Sequence, residues 1–449
     1  MNVLKCFGLM IFWLTSSVAE AQSVLDQYIA EGLQNNQQLL QESLAVTSSQ
    51  LALSESKGLF LPTVNLQSDY TLADGGRTIN FPIGDLLNPV YSTLNQMTGT
   101  DQFPTIENVN EQFFPNNFHD TKIRVIQPLF NSDIYYNQKA QQQLLKASEA
   151  KKAAYEEELK KEIKVAYYNY WQAVEAVRIY ESNQELLEAL VDFNQKRHRE
   201  DQVTLDEIYR AQFELAQLQA DLSAAQADEA IAKAYFNFLL NKDHDAAIEE
   251  DPALTIGSLI SSDNLVSYED ALQRRQELNQ IQFAQEAQFQ AIRLAQGTRL
   301  PQVNAVFDMG YQGEDYRFGS EENYWLLNLG FSWSIFKGFR AKRQVEQAKV
   351  SLDIIESQEQ QLRRQIALEV TRANSTLVAA KKQYQSQELA QKSADKSFDI
   401  MSSKYRESQA LLVQYLDARS VALTSRLQLN LSKYRLLASK AQLDRALAY

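Results

Sequence analysis

From Phe339 to Tyr449 the chain contains neither Gly nor Pro, and the same is true from Leu129 to Asp251, so all eight prolines and all fourteen glycines lie elsewhere. Gly costs about 1 kcal/mol and Pro about 3 kcal/mol in a helix interior, so stretches that exclude both predict long unbroken helices. Within the second stretch Val345, Ala348, Leu352, Ile355, Leu362, Ile366, Val370, Ala373, Leu377, Ala380 and Tyr384 recur at alternating steps of three and four, interrupted only by Glu359. A mean period near 3.5 predicts a coiled-coil seam with left-handed supercoiling against neighbouring helices.

Four stretches change period to two. Val64, Leu66, Tyr70 and Leu72 alternate with polar residues over about 61–73, and Ile123 and Val125 oppose Lys122 and Arg124 over about 119–130. Val303, Ala305, Phe307, Met309 and Tyr311 mark a strand over about 300–312. Trp325, Leu327, Leu329, Phe331 and Trp333 mark another over about 323–336, facing Asn328, Gly330, Ser332 and Ser334. Alternation of this kind predicts strands with one apolar face. Residues 74–118, which hold four prolines among aromatics that include Phe113 and Phe114, read as a long loop.

The pattern occurs twice. A capping-box start at Ser23 and Asp26 opens a helix to about Lys57, and another at Ser267 and Asp270 opens a helix that reaches Gly297. Each helix then meets a shared G-x-x-L-P-x-V-N junction, in which Gly58 and Pro62 correspond to Gly297 and Pro301 and five of eight positions agree. Residues 22–241 and 268–449 thus each read helix, strand, strand, long helix, helix, joined by a linker at 242–267. Polar turns at Arg199-Glu200-Asp201 and Arg406-Glu407-Ser408 separate the last two helices of each half. Each long helix has roughly 70 residues and a length of about 100 Å, matched by the two shorter helices stacked end to end.

Charge and leader narrow the setting. The 449 residues carry a net charge of −13 without basic clusters, which argues against a nucleic-acid partner. Residues 1–21, with Lys5, an apolar run from Phe7 to Leu14 and Ala19-Glu20-Ala21, read as a cleaved secretory signal that also removes the single cysteine, Cys6. No later segment has the length and hydrophobicity of a transmembrane helix, so an exported chain of this kind enters a membrane with strands. Tyr70, Tyr311, Trp325 and Trp333 are placed for interfacial girdles in contact with membrane lipid. Four strands cannot close a barrel in lipid, which tolerates no open edge, so the barrel must be shared between chains.

The duplicated layout, both G-x-x-L-P-x-V-N junctions, the exit Ile335-Phe336-Lys337-Gly338-Phe339-Arg340, and Tyr405 followed by Tyr415-Leu416-Asp417-Ala418 resemble the TolC-type outer membrane efflux family. The resemblance implies a mainly α fold with a membrane β-barrel portion, in which a homotrimer forms a twelve-stranded barrel and a periplasmic coiled-coil tunnel. It also implies a periplasmic adaptor and an inner-membrane transporter as partners. By the same resemblance Tyr405 and Asp417 fall near a periplasmic constriction, with Gln414 where a second acidic residue is usual and Ala410 where a basic latch is usual. Tyr405 would then reach Asp206 or Glu207 on a neighbouring helix, and the two turns would dock the adaptor. Asp417 as an ordinary exposed charge and Tyr405 as ordinary seam packing stand as the alternatives. The sequence departs from the family at both turns, which lack the usual Gly, and at Asn131-Ser132, where the first strand exit often has Gly.

Catalytic chemistry is not visible. His119, His198 and His244 are scattered without a second ligand at metal spacing, and no phosphate loop, nucleophile elbow or H-E-x-x-H occurs. The runs Glu156-Glu157-Glu158 and Glu249-Glu250-Asp251 read as solvated face or linker. No cofactor is expected. The reading is a passive export duct powered by a partner. The competing readings are a coiled-coil spacer or adhesin anchored in the outer membrane, and an enzyme on a helical scaffold.

Overall fold

The computed structural model describes residues 23–112, 116–252, 268–314 and 316–448. The leader, Phe113 and Phe114, and linker residues 253–267 lie outside the described residues. The remainder falls into two compact units, one within Met1–Ser48, Leu145–Ala284 and Ile355–Tyr449, the other within Ser49–Leu144 and Gln285–Ile354.

The first repeat opens with α1 (Val24–Asn35) and α2 (Gln37–Gly58), where the apolar pattern had predicted one continuous helix. Asn36 makes the break. Its Oδ1 accepts from the amides of Gln38 and Leu39 at 3.0 Å, capping α2, while its Nδ2 donates to the carbonyl of Leu239. Then come β1 (Thr63–Thr71), β2 (Thr78–Phe81), α3 (Ile83–Thr98), β3 (Val109–Gln112), β4 (Phe118–Phe130), α4 (Ser132–Arg199) and α5 (Leu205–Leu239). The second repeat runs α6 (Tyr268–Arg274), α7 (Gln276–Gly297), β5 (Gln302–Glu314), β6 (Asn323–Ser332), α8 (Arg340–Arg406) and α9 (Leu412–Leu447). It breaks at Arg275, and α2 and α7 are both 22 residues long, so the break precedes the junction glycine by the same distance in each repeat.

Among the described residues the helical unit is organised by four apolar clusters. In the largest, Leu159, Ile163, Tyr167, Phe236 and Leu240 are fully buried, and Tyr28 meets Phe236 edge-on at 5.2 Å. Burying such a side chain contributes about 1.5–3 kcal/mol. Gly32 permits the close approach of α1 to α4, since a Cβ there would stand 2.4 Å from Cδ1 of Ile163. The Tyr167 hydroxyl donates to the carbonyl of Glu249 and accepts from the amide of Asp251, so the start of the linker is pinned to this core. Asp251 is buried and takes the Leu25 amide at 3.2 Å, so this member of the acidic run is a helix partner rather than a solvated charge. Of the predicted seam, Ile366, Val370, Ala373 and Ala380 are buried, the first three of them with Ala271, Leu278 and Leu443. Arg275 donates to the carbonyls of Arg445 and Ala446 at the C-terminus of α9, where the helix dipole favours a cation.

The other unit holds an antiparallel sheet in the order β1-β4-β5-β6, a simple meander in which, among the described residues, β1 and β6 have free outer edges. The register pairs Leu66 with Ile123, Ile123 with Met309 and Met309 with Trp325, so these four share a face. Arg124 and Asp308 pair on the opposite face. Residues 74–118 are more than a loop. β2 pairs with β3, and α3 lies between them despite Pro89 in its interior. The amide group of Asn88 both donates to and accepts from the backbone of Ile106 at 2.8 Å, and Asn95 does the same with Phe103. These side-chain ties hold α3 against an extended segment.

Candidate functional site

The turns between the long and short helices have one geometry. At the end of α4 the amide of Gln202 bonds to the carbonyl of Arg197 and that of Asp201 to His198, with Asp201 at φ 59°. At the end of α8 the amide of Gln409 bonds to Lys404 and that of Ser408 to Tyr405, with Ser408 at φ 61°. Both are Schellman closures in which a left-handed residue, normally Gly, is replaced by one with a short polar side chain. Asp and Ser therefore hold the position without the glycine whose absence the sequence had shown.

Arg197 links the two turns. Its Nη2 donates to Oγ of Ser408 at 2.8 Å, while its guanidinium lies 5.5 Å from the Phe193 ring and 5.9 Å from the Tyr405 ring. Beneath it the Tyr405 hydroxyl sits 2.8 Å from Oδ1 of Asn194 and 3.0 Å from Oε2 of Glu207. Burial, reinforced by the hydrogen bond to Glu207, pushes the Tyr405 hydroxyl well above the ordinary tyrosine range. Tyr405 packs with Leu187, Leu190, Ala211, Leu412 and Tyr415 in a buried cluster.

The structure brings some of the sequence-read residues together and leaves others apart. Tyr405 meets Glu207, whereas Asp206 is exposed. Gln414 turns its Oε1 onto the amide of Leu411, starting α9, and Asp417 is exposed. Arg199, Glu200, Arg406 and Glu407 are all exposed at the turns, with Glu200 accepting from Gln202 and Arg406 donating to Ser402. Four residues were not read from sequence: Asn194, Arg197, and the buried Arg419, which pairs with the half-buried Glu214 at 2.9 Å. The signal for Asn194 was a polar residue at a seam position after Leu187 and Leu190.

In the sheet unit, Gly58 and Gly297 begin identical turns, with Leu61 bonding back to Gly58 and Leu300 to Gly297, and Pro62 and Pro301 stand just before β1 and β5. Ser132 is buried and donates to the carbonyl of Gly297, so this strand exit needs no glycine. One face exposes Leu66, Trp325, Leu329 and Phe331 by 66–77% each. On the other, Arg124 grips Asp308 with two hydrogen bonds of 2.8 and 2.7 Å, and Asp120 takes Lys122 and the Tyr324 hydroxyl. Tyr70 and Tyr311 join Tyr316, Phe318 and the buried His119 in an aromatic group at one end of the sheet. Trp333, just past β6, donates Nε1 to the Arg299 carbonyl at the other end, and Trp325 lies between, opposite Met309. From Val303 to Tyr311 is about 26 Å of strand, against an apolar band of about 25 Å in outer-membrane barrels.

Residues 267–448 match the outer membrane efflux protein family. Among solved structures, the outer membrane protein VceC of Vibrio cholerae shares 18% identity with a TM-score of 0.75, covering 95% of this chain and 96% of its own. The CmeC outer membrane channel of Campylobacter jejuni gives 15% and 0.77, covering 94% and 85%. The fold is that of an outer-membrane efflux channel. The open state of the MtrE channel of Neisseria gonorrhoeae matches it at 16% and 0.73, covering 94% and 88%. No curated protein sequence matches the chain. The efflux-channel fold and the resemblance to the TolC type read from the sequence are both borne out. Among the described residues no helix is long and apolar enough to cross a membrane, and no group of three His, Cys, Asp or Glu is arranged to hold a metal.

Proposed function

We propose that the chain is one protomer of a trimeric outer-membrane efflux channel, a passive conduit from the periplasm to the exterior with no catalytic activity of its own. The observation that carries this is the sheet, whose exposed apolar face lies opposite charged pairs and whose edges β1 and β6 are open. Lipid requires the edges to be paired, and joining β6 of one copy to β1 of the next closes a barrel with Arg124, Asp308 and Lys122 toward water. Three copies, the number the family resemblance implies, give twelve strands. A spacer needs no such barrel, which disfavours that reading.

The helical unit then belongs to the periplasm, and its turns at Arg199-Glu200-Asp201 and Arg406-Glu407-Ser408 dock a periplasmic adaptor and, through it, an inner-membrane transporter. Both turns are exposed and rigidly closed, as a docking end requires. Purified protein reconstituted in planar bilayers is expected to give discrete, ion-conducting channels from a particle of three chains. A folded particle of one chain, or membranes that stay silent, defeats the proposal. Crosslinkers at Gln202 and Gln409 should capture an adaptor in cells, and capture confined to mid-helix positions such as Gln365 moves the docking site.

A further inference from the structure

The insertion between β1 and β4 has an unused apolar side. One side of α3 is satisfied by its own chain: Asn88 and Asn95 are tied to the backbone of Ile106 and Phe103, Asp85 pairs with Asn108 at 2.9 Å, and Tyr91 packs on Phe103. A Cβ on Gly84 would stand 2.4 Å from the carbonyl of Ile106, so helix and segment are in close contact. The other side carries Leu86, Val90 and Met97, exposed by 70%, 51% and 79%. Spaced by four and seven residues, they form one stripe on a helix. The hydrogen-bonded backing fixes that stripe before anything covers it.

We propose that the α3 stripes of neighbouring copies pack on one another and cap the outer mouth of the barrel. This rests on the trimeric channel reading. The insertion leaves the sheet at Thr71 and returns at Phe118, a pair at the end of the edge strand β1, on the side away from the helix junctions. Each copy's insertion is therefore rooted beside the seam with the next copy, and tethering of this kind gives an effective concentration of about millimolar. The rival cover is the membrane surface. Helices that lie on membranes carry Lys and Arg on the polar face, but α3 has neither and its one charge is Asp85. Across the insertion Asp74, Asp85, Asp101, Glu107 and Glu111 outnumber Arg77, so an anionic lipid surface repels it. A second copy of the stripe needs no charge at all.

The test uses the full chain, whose only cysteine is Cys6. In outer membranes oxidised with copper phenanthroline, Val90→Cys is expected to yield most of the protein as disulfide-linked dimers of the chain on denaturing gels, and Thr105→Cys, on the backing segment, little. In planar bilayers the Leu86→Ser, Val90→Ser, Met97→Ser triple variant is expected to conduct at least twofold more than the parent, with its mass still that of three chains. An intact three-chain particle with no Val90→Cys crosslink, or a crosslink with unchanged conductance in the triple variant, overturns the cap. A bimane probe at position 90 that shifts to the blue on anionic lipid vesicles also overturns it and assigns the stripe to lipid. Loss of the three-chain particle in the parent protein is a failure of the channel reading instead.

Discussion

The Tyr405 hydroxyl lies 3.0 Å from Glu207 and 2.8 Å from the side-chain oxygen of Asn194, and one proton cannot serve two acceptors. Asn194 is fully buried and its Nδ2 has no partner. Turning the amide over resolves the conflict: Tyr405 donates to the Glu207 carboxylate and accepts from Nδ2. Three elements, α4, α5 and α8, are then joined through one hydroxyl. Tyr405→Phe is expected to cost about 1–3 kcal/mol by stranding both partners. It should lower the thermal midpoint and raise the conductance of the closed channel in bilayers. An unchanged midpoint and conductance would show that the hydroxyl is dispensable.

The left-handed residues Asp201 and Ser408 are not equivalent. Asp201 closes its turn through backbone bonds, whereas Ser408 also receives the Arg197 guanidinium. Gly is favoured at such φ values, so Asp201→Gly should stabilise the protein, by up to about 1 kcal/mol. Ser408→Gly gains the same backbone ease but loses the Arg197 contact and should be close to neutral. Chemical denaturation of the two variants measures the difference, and equal gains from both would deny Arg197 any part in holding the turns together.

The long helices and strands were legible because each rests on local chemistry: the exclusion of Gly and Pro over α4 and α8, and apolar alternation over β1, β4, β5 and β6. The breaks at Asn36 and Arg275 were not, since the apolar pattern continues through both and the interruption comes from side chains reaching distant carbonyls. α3 was hidden for the same reason. Its backing by Asn88 and Asn95 is tertiary, and Pro89 argues locally against a helix. At the turns the reach of Tyr405 to an acidic residue of α5 was readable, but Arg419 looked like any solvated helix charge and is 5% exposed.

Arg419 gives an asymmetric prediction. It donates through Nη2 to Glu214 at 2.9 Å, while its Nε and Nη1 are buried without partners. Burial pulls the guanidinium below its usual range, only partly offset by Glu214. Removing the carboxylate leaves an uncompensated buried cation, so Glu214→Ala should cost about 3–5 kcal/mol. Arg419→Met removes that buried charge and leaves Glu214 access to water, so it should cost much less. Thermal unfolding ranks the two, and the reverse order would mean that Arg419 is satisfied some other way.

The ion network at the end of α9 sets an acid limit. Glu277 receives Nη2 of Arg445 at 2.5 Å and Nε of Arg275 at 3.1 Å. Burial pushes its carboxyl up, but the hydrogen bond and charge of Arg445, with Arg275 behind it, outweigh that and hold it below the ordinary glutamate range. A carboxyl depressed on folding binds fewer protons in the native state, so its contribution is full above the unfolded value of about 4.3 and is lost as the pH falls. The melting temperature should therefore drop as the pH falls below about 5. Glu277→Gln should start lower at neutral pH and show a shallower acid slope, whereas a slope equal to the parent's would place the acid sensitivity elsewhere.

Asp417 tests where the channel narrows. It is exposed on α9 in the single chain, one turn beyond Gln414, whose side chain is occupied in capping the Leu411 amide. In the proposed trimer three copies of Asp417 converge with no second acidic ring beside them, since Gln414 is neutral and turned away. Three carboxylates at short range attract cations and exclude anions, and the effect falls with salt over a Debye length of about 10 Å at 0.1 M. Asp417→Ala should move the reversal potential in asymmetric potassium chloride toward zero. Gln414→Asp should move it the other way by adding a second ring. Both shifts should shrink at 1 M salt, where the screening length is about 3 Å. If neither substitution changes the reversal potential, the constriction is formed by other residues, and Asp417 is an ordinary charge on a solvated helix face.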